Sequence, residues 1–266
     1  MSRKLLYVFA AVLGFVGFIL VYAPARPLWG FISDDVGRQA PHLQVRAVGG
    51  TVWQGQADIQ FVPPVPSGLP PSGVPPSGMP PSRLAWRLAP AGLLAGELRL
   101  MLDLAGAGHQ LQARTSLTPA QLVVHNLAGE VQASYLQPLA TPYGLGLSGA
   151  LEIRNITLTS AGNWLASAAG HLQWTGGRLE FPTPLGPQQI YLPAMQGNIS
   201  LQGDNLALEV LTQAVAGGEP ILTILVKPTG WVEVAIKARL FKLAQLPWPA
   251  TAGLDATALT VEEKLF

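Results

Sequence analysis

Four histidines, His42, His109, His125 and His171, are the side chains best suited to proton transfer or metal binding, and each stands alone. No H-E-x-x-H pair occurs and no carboxylate sits at metal-ligand spacing from them, so no metal site is predicted. Gly144-Leu145-Gly146-Leu147-Ser148-Gly149 has the spacing of a dinucleotide fingerprint. That chemistry needs a helix after the glycines, to hold a pyrophosphate at its N-terminus, and an acidic residue about 20 positions on. Ala150 to Leu158 reads as a strand and the acidic residue is missing, so the match is set aside. There is no G-x-S-x-G elbow and no P-loop. Asp34-Asp35 and Glu262-Glu263 read as solvated ends rather than catalytic dyads. With no cysteine in the chain, thiol nucleophiles, disulfides and thiolate metal sites are excluded together. The residues thus predict no enzyme, no metal and no cofactor. Among seven tryptophans, Trp53, Trp86, Trp174 and Trp231 fall in predicted strands. Core packing is the default role of so large a ring there, and a ligand groove is the alternative.

The elements that hold these residues follow from composition and periodicity. The chain has 266 residues, 49% hydrophobic and 12% charged, about half the usual charged share of roughly 25%. A formal net charge of +1 leaves no basic stripe to release counterions, which excludes nucleic acid as a partner. Gly (29) and Pro (24) are too frequent for a helix bundle and suit a turn-rich β chain. Leu98, Leu100, Leu102 and Leu104 recur at every second position, as do Leu206, Leu208 and Val210, then Val232, Val234 and Ile236. Such alternation marks antiparallel strands with one buried face. Mid-strand Leu100 and Leu151, with Leu98 and Ile199, are expected to pack into a closed core. The parity slips between Ile153 and Ile156, which predicts a bulge near Arg154–Asn155. Short helical segments are expected over Pro27–Gln39, Ser134–Ala140 and Phe241–Gln245. Gly-x-apolar-x-apolar recurs from Gly96, Gly129, Gly149, Gly170 and Gly197, each read as a turn glycine that launches a strand. The fold class is therefore mainly β: a transmembrane helix, then a large, antiparallel, twisted sheet with few short helices.

Leu5 to Ala23 carries no charge and would reach ~28 Å as a helix, the thickness of a bilayer core. Arg3 and Lys4 precede it. By the positive-inside rule, residues 1–25 form a cytoplasmic tip and inner-membrane anchor that meets lipid through residues 5–23, and residues 26–266 form a periplasmic β domain. A cleaved signal peptide is the competing reading, since Ala23-Pro24-Ala25 fits a cleavage site. The run nevertheless exceeds the ~7–15 residues of a signal core. Pro-Ser-Gly-x-Pro repeats three times within residues 63–82. Proline offers no ladder donor, so this segment is read as an inserted loop between strands around Ala57–Phe61 and Leu84–Leu88. Asn155-Ile156-Thr157 and Asn198-Ile199-Ser200 match a glycosylation acceptor, which carries no meaning in a periplasm.

One arrangement of motifs is similar to a known family. Val48-Gly49-Gly50-Thr51-Val52-Trp53-Gln54-Gly55-Gln56-Ala57 resembles a G-T-[LV]-W-x-G-x-A block. Leu84-Ala85-Trp86-Arg87-Leu88 with Pro90 and Gly96-Glu97-Leu98 resembles an L-x-W-x-L-x-P…L-L-x-G-x-L block, and Gly170 to Trp174 a later G-x-L-x-W strand. Together they resemble protein N of the type II (general) secretion pathway. The resemblance implies structural, non-catalytic roles for Gly50, Thr51, Trp53, Gly55, Ala57, Trp86, Pro90, Gly96 and Trp174. It also implies a non-enzymatic accessory component of the inner membrane, partnered by the inner-membrane platform or the secretin, acting in export of folded periplasmic proteins. The alternative function is that of an anchored β-groove protein of the AsmA type, handling lipid at the cell envelope. Low charge and high hydrophobicity suit it equally.

Overall fold

A computed structural model describes residues 22–62, 78–183, 186–212, 218–246 and 253–264. The proposed anchor up to residue 21 and most of the Pro-Ser-Gly repeats lie outside the described residues. No helix among those described is long and apolar enough to cross a membrane.

The chain opens with helix α1 (Ala25–Gln39) and continues through β1 (Leu43–Gly50), β2 (Gln54–Phe61), β3 (Ser82–Ala89), β4 (Leu98–Gly106), β5 (His109–Leu117) and β6 (Gln121–Gln132). Helix α2 (Ala133–Ala140) follows, then β7 (Gly146–Leu147), β8 (Ala150–Ala161), β9 (Trp164–Trp174), β10 (Gly177–Thr183) and β11 (Gly186–Leu192). The remainder comprises β12 (Met195–Gln202), β13 (Asn205–Thr212), β14 (Leu222–Val226), β15 (Trp231–Lys237), helix α3 (Ala238–Leu243) and β16 (Thr257–Lys264). Thirteen strands make one antiparallel sheet in the order β1-β2-β3-β4-β5-β6-β8-β9-β12-β13-β14-β15-β16. The other three, β11-β10-β7, form a small sheet of their own. Among the described residues β1 and β16 each pair on one side only, so the large sheet does not close into a barrel.

Its two ends differ. The antiparallel registers put the tight turns 51–53, 118–120, 162–163, 203–204 and 227–230, and the 3-10 turn Pro90–Ala95, at one end of the strands. The connections that hold α2, the small sheet and α3 all leave from the other end, here called the cap end. Helix α1 lies beside β1 and spans both. Its exit leads into Leu43 at the cap end, while Pro24 bridges Thr51 and Val52 donates its N–H to the Ala23 carbonyl (2.9 Å) at the turn end.

The expected bulge is present and has a neighbour. Asn155 has φ +51° and the β8–β9 register shifts between Arg154 and Thr157. Asn126 in β6 has the same φ, and the β6–β8 register shifts beside it. Each extra residue restores Leu122 and Val124 to the face of Leu127 and Val131, and Ile153 to that of Ile156 and Leu158. Without the slips, half of each strand would turn its apolar residues outward.

Some expectations are corrected. Gly129, Gly170 and Gly197 lie inside strands rather than in turns. A Cβ on Gly170 would stand 2.6 Å from Ile156 Cγ1, so this glycine makes room for the bulged strand beside it. Trp53 lies in a turn, and α3 begins three residues earlier than predicted. Met79, at the end of the third repeat, is only 6% exposed and pairs its N–H with the Phe61 carbonyl (2.9 Å), so residues 78–81 are built into the fold.

The closed-core expectation also fails for the sheet as a whole. Leu98, Leu100, Leu151 and Ile199 are all half-buried, and no large side chain among the described residues is fully buried. One closed cluster exists at the cap end: Leu192, Met195, Ile221 and Ala244, packed by Trp174, Leu222 and Leu240. The reason is architectural. A thirteen-strand apolar face needs a second layer to bury it, and the small sheet and short helices supply one only at that end.

Candidate functional site

The residues of the first two motif blocks meet at the turn end. Gly50, with φ +88°, starts a tight turn in which the Thr51 N–H donates to the Gln54 carbonyl (2.8 Å) and the Gln54 N–H donates to Thr51 Oγ1 (3.1 Å). Trp86 Nε1–H donates to the Val52 carbonyl (3.1 Å), and the Leu88 N–H to that of Trp53 (2.6 Å). These bonds pin the β1–β2 tip across the end of β3. Gly55 pairs directly with Trp86, and a Cβ there would stand 2.3 Å from Trp86 Cζ2. The indole therefore requires that glycine, for space rather than for φ. Ala57, 6% exposed, continues the same face inward. Pro90 opens the 3-10 turn and Gly96 closes it with φ +71°.

Trp174 lies far off, at the cap end, yet repeats the device. Its Nε1–H donates to the Ser148 carbonyl (3.0 Å), and Gly149 leaves no room for a Cβ beside the indole. A tryptophan hydrogen-bonded to a turn carbonyl, with a glycine at its ring, thus locks each end of the sheet. This is structural chemistry: every polar group named is satisfied within the fold.

The outer, polar face beside the first lock carries what sequence reasoning missed. Arg87, Met101, Arg114 and His125 form a row across β3 to β6 in register. Two shallow hollows adjoin it. One of about 510 Å³ is lined by Gly55, Trp86, Arg87 and Asp103 among others, and one of about 780 Å³ by Arg99, Arg114, Ser116 and His125 among others. Ser116 Oγ and His125 Nε2 lie 2.9 Å apart, the contact of a nucleophile and its base. Glu97 pairs with Arg99 (2.6 Å), and that hydrogen bond holds its carboxyl below the usual range. A catalytic triad places the acid on the far nitrogen of the histidine. Here the hydrogen bonds of Glu97 go to Arg99 rather than to His125, and Ser116 is 8% exposed. The trio is a cross-strand polar contact. Nine residues separate Ser116 from His125 in sequence, and only the β5–β6 register brings them together. Among the described residues no three His, Asp or Glu side chains are grouped to hold a metal ion.

Residues 41–245, more than three quarters of the chain, match the family model described as Type II secretion system (T2SS), protein N. The match runs from just before β1 to just after α3 and includes both tryptophan locks. No curated protein and no solved structure matches.

Proposed function

The chain belongs to the type II secretion system protein N family, and we propose that it serves that machine as a non-enzymatic accessory subunit of the inner membrane. In this reading residues 1–25 are the cytoplasmic tip and anchor, residues 26–266 are periplasmic, and the folded domain bridges or assembles other components. The observation that carries it is the family match from β1 to α3, which takes in every strand of the large sheet except β16. Of the nine motif residues, Trp86 and Trp174 act as fold locks rather than as contact sites, since their indole N–H groups are spent on the fold's own carbonyls. Partner contact is better served by β16. Among the described residues it pairs on one side only, with Leu259 and Val261 nearly half exposed, and its other side offers a strand to a platform or secretin component. Deleting the gene and measuring exoprotein release tests the reading. Release should fall and return when the chain is restored, and undiminished release would remove the proposal.

A second reading, lipid handling, is favoured by one observation: the half-buried apolar face over most of the sheet. Phospholipid that co-purifies with the protein, and is lost from a folded Leu100→Asp variant, would support it. Lipid-free protein with normal secretion would leave the accessory role alone.

A further inference from the structure

We propose that the turn end of the sheet is a docking rim seated on the surface of the bilayer that anchors the chain. The proposal rests on the anchor reading given above. The Pro24–Thr51 bridge and the Val52-to-Ala23 hydrogen bond fix residues 23 and 24 at the turn end. The described chain therefore begins at the turn end, not at the cap end.

That end also carries exposed apolar side chains, one of them within a turn. Hairpin turns draw on Gly, Asn, Asp, Ser and Pro. Leu94, in the 3-10 turn between β3 and β4, is instead 95% exposed, and Leu117 and Leu122 flank the β5–β6 turn at over 40%. Trp231 stands exposed beside the β14–β15 turn and Tyr22 at the entry point. Leu94 belongs to the 3-10 turn, whereas Leu117, Leu122 and Trp231 stand in the strand ends beside their turns, so they are spread across the sheet. Exposed apolar groups on one surface mark an interaction surface; Leu139, Leu145, Tyr191 and Leu254 are exposed at the cap end as well, but only the turn end adjoins residues 23 and 24. Tyr22 and Trp231 there, with Arg26 exposed in the first turn of α1, suit the headgroup zone of a membrane, where aromatic rings and cations both find partners. A span that ends at Ala23 brings that zone to this face. The strands would then stand away from the bilayer, with α2, the small sheet and α3 at the far side.

The absence of cysteine makes the test direct. Full-length protein is prepared with Leu94→Cys, and separately with Tyr191→Cys in β11 at the cap end, a site 74% exposed. Each thiol takes an environment-sensitive fluorophore, and the protein is reconstituted into phosphatidylethanolamine–phosphatidylglycerol vesicles containing nitroxide-labelled phospholipid. The Leu94 label should shift to the blue and lose most of its emission to the nitroxide, while the Tyr191 label responds to aqueous iodide alone. Alkaline carbonate extraction reads the anchor separately. Membrane-integrated protein whose Leu94 label answers only to iodide overturns the rim and leaves the anchor standing. Extractable protein whose Leu94 label is quenched by lipid supports the rim without the anchor. A lipid-quenched Tyr191 label places the cap end on the bilayer and overturns the proposal.

Discussion

Gly55 and His109 show how single positions in this fold are set by their neighbours. At Gly55 any side chain meets both the Trp86 ring and the Gly49 carbonyl, the latter 2.6 Å from a Cβ. Gly55→Ala should therefore cost about 1–3 kcal/mol through forced movement of the indole, seen as a lower melting temperature of the purified protein. An unchanged melt would mean that the ring has room to turn away. His109 is 5% exposed and packs against Tyr135 with ring centroids 3.9 Å apart. Neither ring nitrogen has a hydrogen-bond partner among the described residues, and the Ala107 backbone only partly opposes the effect of burial. Burial lowers its pKa from the ordinary 6.5. As pH falls below 6.5 the unfolded chain takes up the proton first, so stability is unaffected above about pH 7 and declines in mild acid. Melting curves between pH 8 and 5 should show that decline in the native protein and a weaker one in His109→Phe. Equal acid slopes for both would assign the sensitivity elsewhere.

Among the elements, β6 and β8 owe their usefulness to one extra residue each. Asn155 occupies a left-handed conformation, which costs most residues about 1–2 kcal/mol and a β-branched one at least as much. Asn155→Val should lower the urea midpoint and Asn155→Gly should leave it level or raise it. The reverse order would show that the Asn side chain, not its backbone, holds the bulge. The inserted loop divides in the same way. Removing Pro66 to Ser77 changes closure entropy by ~1 kcal/mol or less. Extending the cut to Pro80 also removes buried Met79, at about 2–5 kcal/mol. Thermal melts of the two deletions should separate clearly, and coincident melts would mean that the Met79 site refills. The Asn155 slip was legible because apolar parity changes in the sequence itself. The Asn126 slip was not read, since Val123, Val124 and Leu127 give no clean alternation to break. Met79 was hidden inside a repeat whose composition says loop, and the Ser116–His125 contact depends on a register that spacing does not specify. The tryptophan motifs were legible as a pattern, but that each locks a turn carbonyl required the geometry.

Over the whole molecule, burial is unevenly shared. The cap end has a packed cluster around Leu192 and Met195, whereas Leu100 sits on a half-covered face. Leu192→Asp should strand a carboxylate without a partner, at a cost of several kcal/mol comparable to the ~5–15 kcal/mol stability of a domain. Leu100→Asp can reach water and should keep the fold, with a smaller loss. Soluble expression and circular dichroism of the two variants check this. Aggregation of both would mean that the sheet face is sealed after all.

The strand order has a consequence for how the protein is made. Each strand of the large sheet pairs with the next strand in the chain, except where β7, β10 and β11 step aside. Contacts of short sequence separation form early and at low loop-closure cost. A chain that crosses the membrane from its anchored end onward would complete β1 to β6 while its C-terminal half was still in transit, each hairpin templating the next. The growing edge would always be the newest strand, and among the described strands β16 comes last and pairs on one side only.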